Sequence, residues 1–283
     1  MNAWVTLLTQ PEYLDGVRTL RASLARTRTP HPLVVMVTDA IDTTVRRVLT
    51  DDGCLLRDVA PLRPASDLQD NYANARFAEV WTKLEVWRFT EFERVVFLDA
   101  DMLVVRPMDE LFTLPLAPGA IAACHACRCN PDRIASYPAD WTPAHCFYTH
   151  CRGLDHTREP GVVDDYLNGG TLVLTPDLAV HGDMVSRLAA LEDLSRYPFA
   201  EQDFLNEYYE NRWEPLPYIY NALKTLPFQH PSMWNEPDVK NIHFIIDKPW
   251  QRTPAPGDRY HALHQLWWDV AQRAGTAPVT ATR

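Results

Sequence analysis

The chain of 283 residues is 46% apolar and 23% charged, ordinary values for a globular protein with a sizeable core. A net charge of −10 with no Lys/Arg run argues against a general binder of nucleic acid or of an anionic membrane. No apolar stretch approaches the roughly 20 residues that span a bilayer, and no basic-then-apolar leader follows Met1, so the expectation is a cytoplasmic protein with no membrane span.

Strand-like and helix-like runs alternate along the chain. Ala3 to Leu8 predicts a first strand, and Leu14, Val17, Leu20 and Leu24 form a helical stripe within Tyr13 to Leu24. Leu33 to Thr38 reads as a second strand, Thr43 to Leu49 as a short helix and Val80 to Phe89 as another. Arg94 to Leu98 is apolar on both faces, as in a central strand of a parallel sheet. Pro115 to Pro160 is rich in Pro and Cys, with little periodicity, and reads as a long surface excursion. A strand over Asn168 to Leu174 follows a permissive turn, then helices at Met184 to Leu194 and Glu201 to Tyr209, and a late strand at Asn241 to Ile246. The order βαβα predicts an α/β fold on a mostly parallel, doubly wound sheet. One domain is expected over residues 1–268, with a Cys-rich insert at about 115–160, and a small polar tail at 269–283 that frays.

The acid pair Asp99-Ala100-Asp101 at the end of an apolar run is the first sign of chemistry. Carboxylates are rarely buried unless paired or ligating. One alternative is a turn acid beside a solvated acid. The other is a metal pair, since alternation in a strand puts Asp99 and Asp101 on one side, and Mg²⁺ or Mn²⁺ is commonly held by one or two carboxylates plus substrate phosphates. His243 in an apolar strand is either a core histidine or a third ligand, and imidazole tilts the choice toward manganese. Lys248 just beyond it is either a solvated lysine or a phosphate partner. Glu201, Gln202 and Asp203 open a predicted helix, where first-turn acids also favour the helix dipole. Asn168-Gly169-Gly170 is a plain turn or a close backbone approach to a ligand.

Taken in order, VTLLTQPEY, VWTKLEVW, VVFLDADMLV, LNGGTLVL, FAEQDFLN, PYIYN and IHFIIDKPW resemble glycosyltransferase family 8, which includes glycogenin and the plant galactinol synthases. The resemblance runs from Val5 to Trp250. It implies a single GT-A type nucleotide-sugar-binding domain, a UDP-sugar donor, bound Mn²⁺ and retention of anomeric configuration. By motif match it implies Asp99, Asp101 and His243 as metal ligands. Leu7, Thr9, Tyr13, Lys83, Asp99, Ala100, Asp165, Asn168, Gly169 and Lys248 are implied on the donor, with Glu201, Gln202 and Asp203 as the catalytic group. Gln10 stands where glycogenin has Asn. The last motif is one residue shorter and lacks the glycine between its His and Lys. FAEQDFLN and the Cys-bearing insert are similar to galactinol synthase, while Asn221 to Pro227 offers no counterpart of the tyrosine that glycogenin glucosylates.

The expected activity is therefore hexose transfer from a UDP-sugar to a small polyol or saccharide, with UDP-galactose and myo-inositol as the specific expectation. Asp203 is expected either to accept a hydrogen bond from an acceptor hydroxyl or to cap its helix or sit in solvent. Trp234, Trp250, Trp267 and Trp268 are expected to pack rather than to offer apolar faces to a ring, which is the alternative. A glycogenin-like primer and a non-catalytic sugar-nucleotide or zinc-binding module are the alternatives, and a second copy of the chain is an admissible partner. For Cys54, Cys124, Cys127, Cys129, Cys146 and Cys151, reduced thiols are expected over disulfides. In the insert they either fill space as small hydrophobes or join His125, His145 and His150 in a structural zinc site.

Overall fold

The computed structural model describes residues 1–65, 72–151 and 163–277. In chain order these form β1 (Asn2–Leu8), α1 (Leu14–Thr27), β2 (Leu33–Val37), α2 (Thr43–Asp51), β3 (Leu55–Asp58), β4 (Arg94–Leu98), β5 (Met102–Val104), β6 (Ile121–His125), α3 (Phe147–His150), β7 (Leu167–Leu174), α4 (Leu178–Ala189), α5 (Glu201–Tyr208), β8 (Trp213–Leu216), β9 (Ala222–Leu223), α6 (Leu226–Gln229), β10 (Asn241–His243) and α7 (His261–Arg273). Short 3-10 segments link them, the longest being Val80–Arg88. No helix among the described residues is long and apolar enough to cross a membrane.

Seven strands form one sheet in the order β3-β2-β1-β4-β7-β6-β8, and β5-β10-β9 form a second, smaller sheet. In the large sheet β3, β2, β1 and β4 run parallel, while β7 is antiparallel to both its neighbours, β4 and β6. The sheet is thus mostly parallel, as expected, but β4 has one neighbour of each sense. Alternating side chains cover both faces. Trp4, Leu8, Val35 and Val37 pack with Val17, Leu20 and Leu24 of α1 and Leu49 of α2. Val5, Val34, Met36 and Phe97 pack on the opposite face with Trp81, Leu84 and Trp87 of the 3-10 segment and Phe204 of α5. A third core lies under the small sheet, where Leu103, Ile242 and Phe244 meet Trp267 and Trp268 of α7.

Several boundaries differ from the sequence reading. The helix expected from Met184 begins six residues earlier, where Asp177 accepts from the amides of Ala179 and Val180 at 2.7 and 3.3 Å, a side-chain cap that fixes its start. The Cys-rich excursion contains β6, a fully buried central strand; IAACH is short and alanine-rich, so neither periodicity nor β-propensity reveals it. The expected domain end at 268 falls inside α7, and Val270 and Ala271 are buried rather than frayed. The late strand stops at His243, and Ile246 takes a positive φ of 67° that no strand accommodates. Residues 152–162 of the excursion and 278–283 of the tail lie outside the described residues.

Candidate active site

The two acids are not alternate residues of one strand. Strand β4 ends at Leu98, and Asp99 to Asp101 form the turn by which the chain leaves the large sheet and enters β5 of the small one. The Asp99 amide donates to the Gly170 carbonyl of β7 at 2.9 Å, and the Asp101 carbonyl accepts from the Phe244 amide at 2.9 Å. The turn is therefore clasped to both sheets. Strand β10, paired antiparallel with β5, brings in His243, whose Nε2 lies 3.2 Å from Asp101 Oδ1 and 3.9 Å from Asp99 Oδ2.

One ligand atom from each of Asp99, Asp101 and His243 lies within 4.8 Å of the others. Two carboxylates and one imidazole are a donor set suited to a hard or borderline divalent cation. The histidine is also prepared for it. Asn221 Nδ2 donates to Asn168 Oδ1 at 2.7 Å, so its Oδ1 faces His243 Nδ1 at 2.8 Å and accepts that ring's proton. Nε2 is thereby turned toward the two acids, where a cation can take it as a ligand. Gly170 makes room for the ring: a Cβ there would stand 2.6 Å from His243 Cε1 and 2.8 Å from Met102 Cε. Its role is close packing against His243 rather than a turn.

Two buried lysines flank the acids. Lys83 Nζ contacts Asp99 Oδ1 at 3.0 Å and Glu201 Oε1 at 2.7 Å, and donates to the Gly169 carbonyl at 2.9 Å. Burial alone would lower its pKa, but the two carboxylates outweigh burial and hold it above the ordinary lysine value. Glu201 feels the same environment with the opposite outcome: burial pushes it up to about 7, against the pull of Lys83. Lys248 Nζ bonds Asp101 Oδ2 and donates to the Phe244 carbonyl at 3.1 Å. Burial opposes ionisation of Asp101, yet Lys248 and His243 hold it well below the usual carboxylate range.

These groups form the floor of a cleft of about 220 Å³. Leu7 near the end of β1 and Thr9, Gln10 and Tyr13 beyond it line one end. Asn168, Gly169, Glu201 and Gln202 line another side, and Ile134, Tyr137, Trp141 and Phe199 form an apolar wall. Gln202 is held as a hub: its Oε1 accepts from Asn168 Nδ2 and from the Gly169 amide, both at 3.1 Å, and its Nε2 donates to Tyr166 at 3.2 Å.

Most residues read from the sequence therefore converge, namely Leu7, Thr9, Tyr13, Lys83, Asp99, Ala100, Asp101, Asn168, Gly169, Glu201, Gln202, His243 and Lys248. Two do not. Asp165 pairs with His125 Nε2 at 2.9 Å and is absent from the cleft lining. Asp203 sits behind the wall, where one oxygen accepts from the Phe199 amide at 2.6 Å and the other from the Tyr166 hydroxyl, so it positions rather than touches. Burial raises its pKa to about 6. Trp234, Trp250, Trp267 and Trp268 also miss the cleft; Trp267 and Trp268 are core residues, and Trp250 packs on Tyr13. Tyr137 and Trp141 are the aromatic residues of the insert that line the cleft, and their place in an aperiodic excursion gave no signal. Asn221 was missed as well, because nothing in its spacing distinguishes it from a turn residue.

Residues 4–254 match the sequence model of glycosyl transferase family 8. Galactinol synthase 3 of Arabidopsis thaliana is 30% identical over 277 residues, covering 95% of this chain and 80% of that protein. The solved structure of the galactosyltransferase LgtC, in complex with donor and acceptor sugar analogues, has a TM-score of 0.66 at 16% identity, covering 100% of this chain and 98% of that one. The glycosyltransferase GlyE of Streptococcus pneumoniae TIGR4 gives 0.60 at 17% identity over 96% of this chain, which spans 61% of GlyE. At such identities the two structures bear on the fold alone.

Proposed function

The chain belongs to glycosyltransferase family 8, and on that premise we propose that it moves galactose from UDP-galactose to myo-inositol, with Mn²⁺ as its resident cation. At the coarser level it is a retaining, UDP-sugar-dependent glycosyltransferase of GT-A fold. The observation that carries the reading is the floor of the cleft, where Asp99, Asp101 and His243 converge with Lys83 and Lys248 at hand on either side. Similarity to galactinol synthases supports the choice of donor sugar and polyol. Residues 1–277 act in this reading as one catalytic unit.

When bound, the cation supplies Lewis-acid stabilisation of charge on the departing diphosphate. Asp99, Asp101 and the Nε2 of His243 would hold it. Lys248, bonded to Asp101 and the Phe244 carbonyl, would take a phosphate oxygen as a further partner, and Lys83 adds a fixed positive charge beside Asp99. Leu7, Thr9 and Tyr13 seat the nucleoside, while Asn168, Gly169 and Gln202 orient the sugar.

Retention proceeds by same-face attack. The acceptor oxygen forms its bond to the anomeric carbon on the face from which the phosphate oxygen departs, and the hydroxyl proton passes to that phosphate. Glu201 is the acid available for the covalent alternative, but its Oε1 is taken by Lys83 at 2.7 Å. It serves instead to hold Lys83. The Tyr137–Trp141 wall takes the apolar face of the acceptor ring.

The test is incubation with UDP-galactose and Mn²⁺, with and without myo-inositol, followed by mass spectrometry of both the small molecules and the intact protein. A galactosyl-inositol that needs both Mn²⁺ and inositol is expected. Hexose added stepwise to the protein, with no soluble product, would overturn the proposal in favour of self-glycosylation.

A further inference from the structure

Beside the cleft, whose lining includes Cys127, three thiols and an imidazole turn toward one point in the third core. His230 Nε2 lies 3.4 Å from Cys127 Sγ, 3.3 Å from Cys129 Sγ and 3.6 Å from Cys146 Sγ, and Cys146 Sγ is 3.8 Å from Cys127 Sγ. All four residues are buried, and the four ligand atoms lie within 4.8 Å of one another. A tetrahedral ion with Zn–S near 2.3 Å and Zn–N near 2.05 Å requires S···N edges of about 3.5 Å and S···S edges of about 3.8 Å. The four measured separations match those edges.

The cluster is neither a disulfide nor a chance gathering of small hydrophobes. A disulfide needs sulfurs about 2.05 Å apart, far below the 3.8 Å between Cys127 and Cys146. Cysteines used as small hydrophobes scatter through a core, as Cys54 and Cys124 do. Cys124 lies against the Pro217 carbonyl, and burial pushes Cys54 up to about 12. The histidines nearest in sequence are engaged elsewhere: His145 with the Asp140 carbonyl at 2.8 Å, His150 with the Ala144 carbonyl at 2.9 Å, and His125 stacked on Phe147 at 3.4 Å. The histidine that does converge comes from 84 residues beyond Cys146.

We propose that Cys127, Cys129, Cys146 and His230 bind a structural Zn²⁺ that fastens the acceptor-side wall of the cleft. Four protein ligands close the coordination sphere, which is the arrangement of structural rather than catalytic zinc. The ligands come from three places in the chain: just after β6, just before α3 and just after α6. The segment between Cys129 and Cys146 carries Ile134, Tyr137 and Trp141 of the cleft wall, so the ion pins that segment at both ends. Leu223 and Thr225, which also line the cleft, lead into α6 and its His230 anchor. Binding displaces the thiol protons to solvent as thiolates form on the metal.

The site is chemically distinct from the oxygen-rich cradle of Asp99, Asp101 and His243, and the two are separable by experiment. Protein prepared with zinc present should retain one Zn²⁺ per chain after dialysis, by plasma mass spectrometry. Asp101→Ala and Cys54→Ser should retain it, and Cys146→Ser and His230→Ala should lose it. To guard against misfolding of those two variants, wild-type protein is also titrated with a mercurial thiol reagent in the presence of a zinc indicator, and one equivalent should be released. Replacement by Co²⁺ should give the thiolate charge-transfer band and visible spectrum of a tetrahedral S₃N site. Zinc-free wild-type protein that yields no such cobalt spectrum would overturn the proposal. So would peptide mapping that finds Cys127 and Cys146 oxidised to a disulfide. Neither result depends on whether the chain transfers galactose.

Discussion

Asn221 is not part of the cleft lining, yet its replacement should be felt at Asp99, Asp101 and His243. Its side chain accepts from His243 Nδ1 at 2.8 Å and donates to Asn168 Oδ1 at 2.7 Å, and the residue is 1% exposed. Asn221→Ala removes the acceptor that sets the His243 tautomer, so the ring proton can move to Nε2 and the ring is no longer locked. Loss of such an outer partner typically weakens metal affinity 10–100-fold, about 1.4–2.7 kcal/mol. That figure agrees with the ~1–3 kcal/mol cost of leaving one buried donor unpaired. Asn168 is less exposed to the change, because the Gly170 amide still donates to its Oδ1 at 3.0 Å. The assay is UDP binding by calorimetry across a Mn²⁺ titration. The Mn²⁺ midpoint should rise roughly 10–100-fold while turnover at saturating Mn²⁺ stays within a few-fold of wild type. A variant with a lower melting temperature but an unshifted Mn²⁺ midpoint would refute the reasoning and return His243 to the core.

Three further outcomes are expected. Gly170→Ala should weaken Mn²⁺ binding by displacing His243, since the added Cβ stands 2.6 Å from its Cε1; unchanged Mn²⁺ affinity would mean that the ring has room to retreat. Burial raises the Glu201 pKa from 4.5 to about 7, so the folded state keeps a proton that the unfolded state loses, and stability should fall as pH rises through that window. Denaturant titrations should find wild type losing stability relative to Glu201→Gln over the same interval, and parallel curves would count against burial as the cause. Trp141→Ala should raise the KM for the acceptor by about tenfold, in keeping with ~0.5–1.5 kcal/mol for an aromatic contact beyond its buried area, with UDP affinity left alone. Equal loss for donor and acceptor would mean that the wall does not discriminate.

Residues whose job is written in local pattern were readable in advance. The apolar runs of β1, β2, β4 and β7 are long enough to declare strands, and two acids closing such a run declare a site. What the pattern could not give is geometry made by distant partners. Asp99 and Asp101 meet because a turn joins two sheets, not because a strand alternates. Asp203 directly follows the cleft residue Gln202 and Asp165 lies three positions before Asn168, yet their carboxylates are taken by Tyr166, Phe199 and His125. The converse holds for Asn221 and His230, which matter only through residues far from them in the chain. Strand β6 was hidden by its alanines, since its burial comes from its neighbours β7 and β8 rather than from its own composition.

The turn from Asp99 to Asp101 has one backbone clasp in each sheet, to Gly170 on the large side and to Phe244 on the small side. Its carboxylates therefore behave like the jaws of a caliper whose arms are the two sheets. A tilt of the small sheet alters the gap between Asp101 and Asp99, and it carries His243 along with Asp101 because both belong to that arm. Cation affinity should then follow the angle between the sheets. Substitutions deep beneath the small sheet, at Leu103 or Ile242, should register as a loosened grip on the ion well before they register as a failure to fold. A chain so built carries an internal gauge of its own packing, with the ion as the needle.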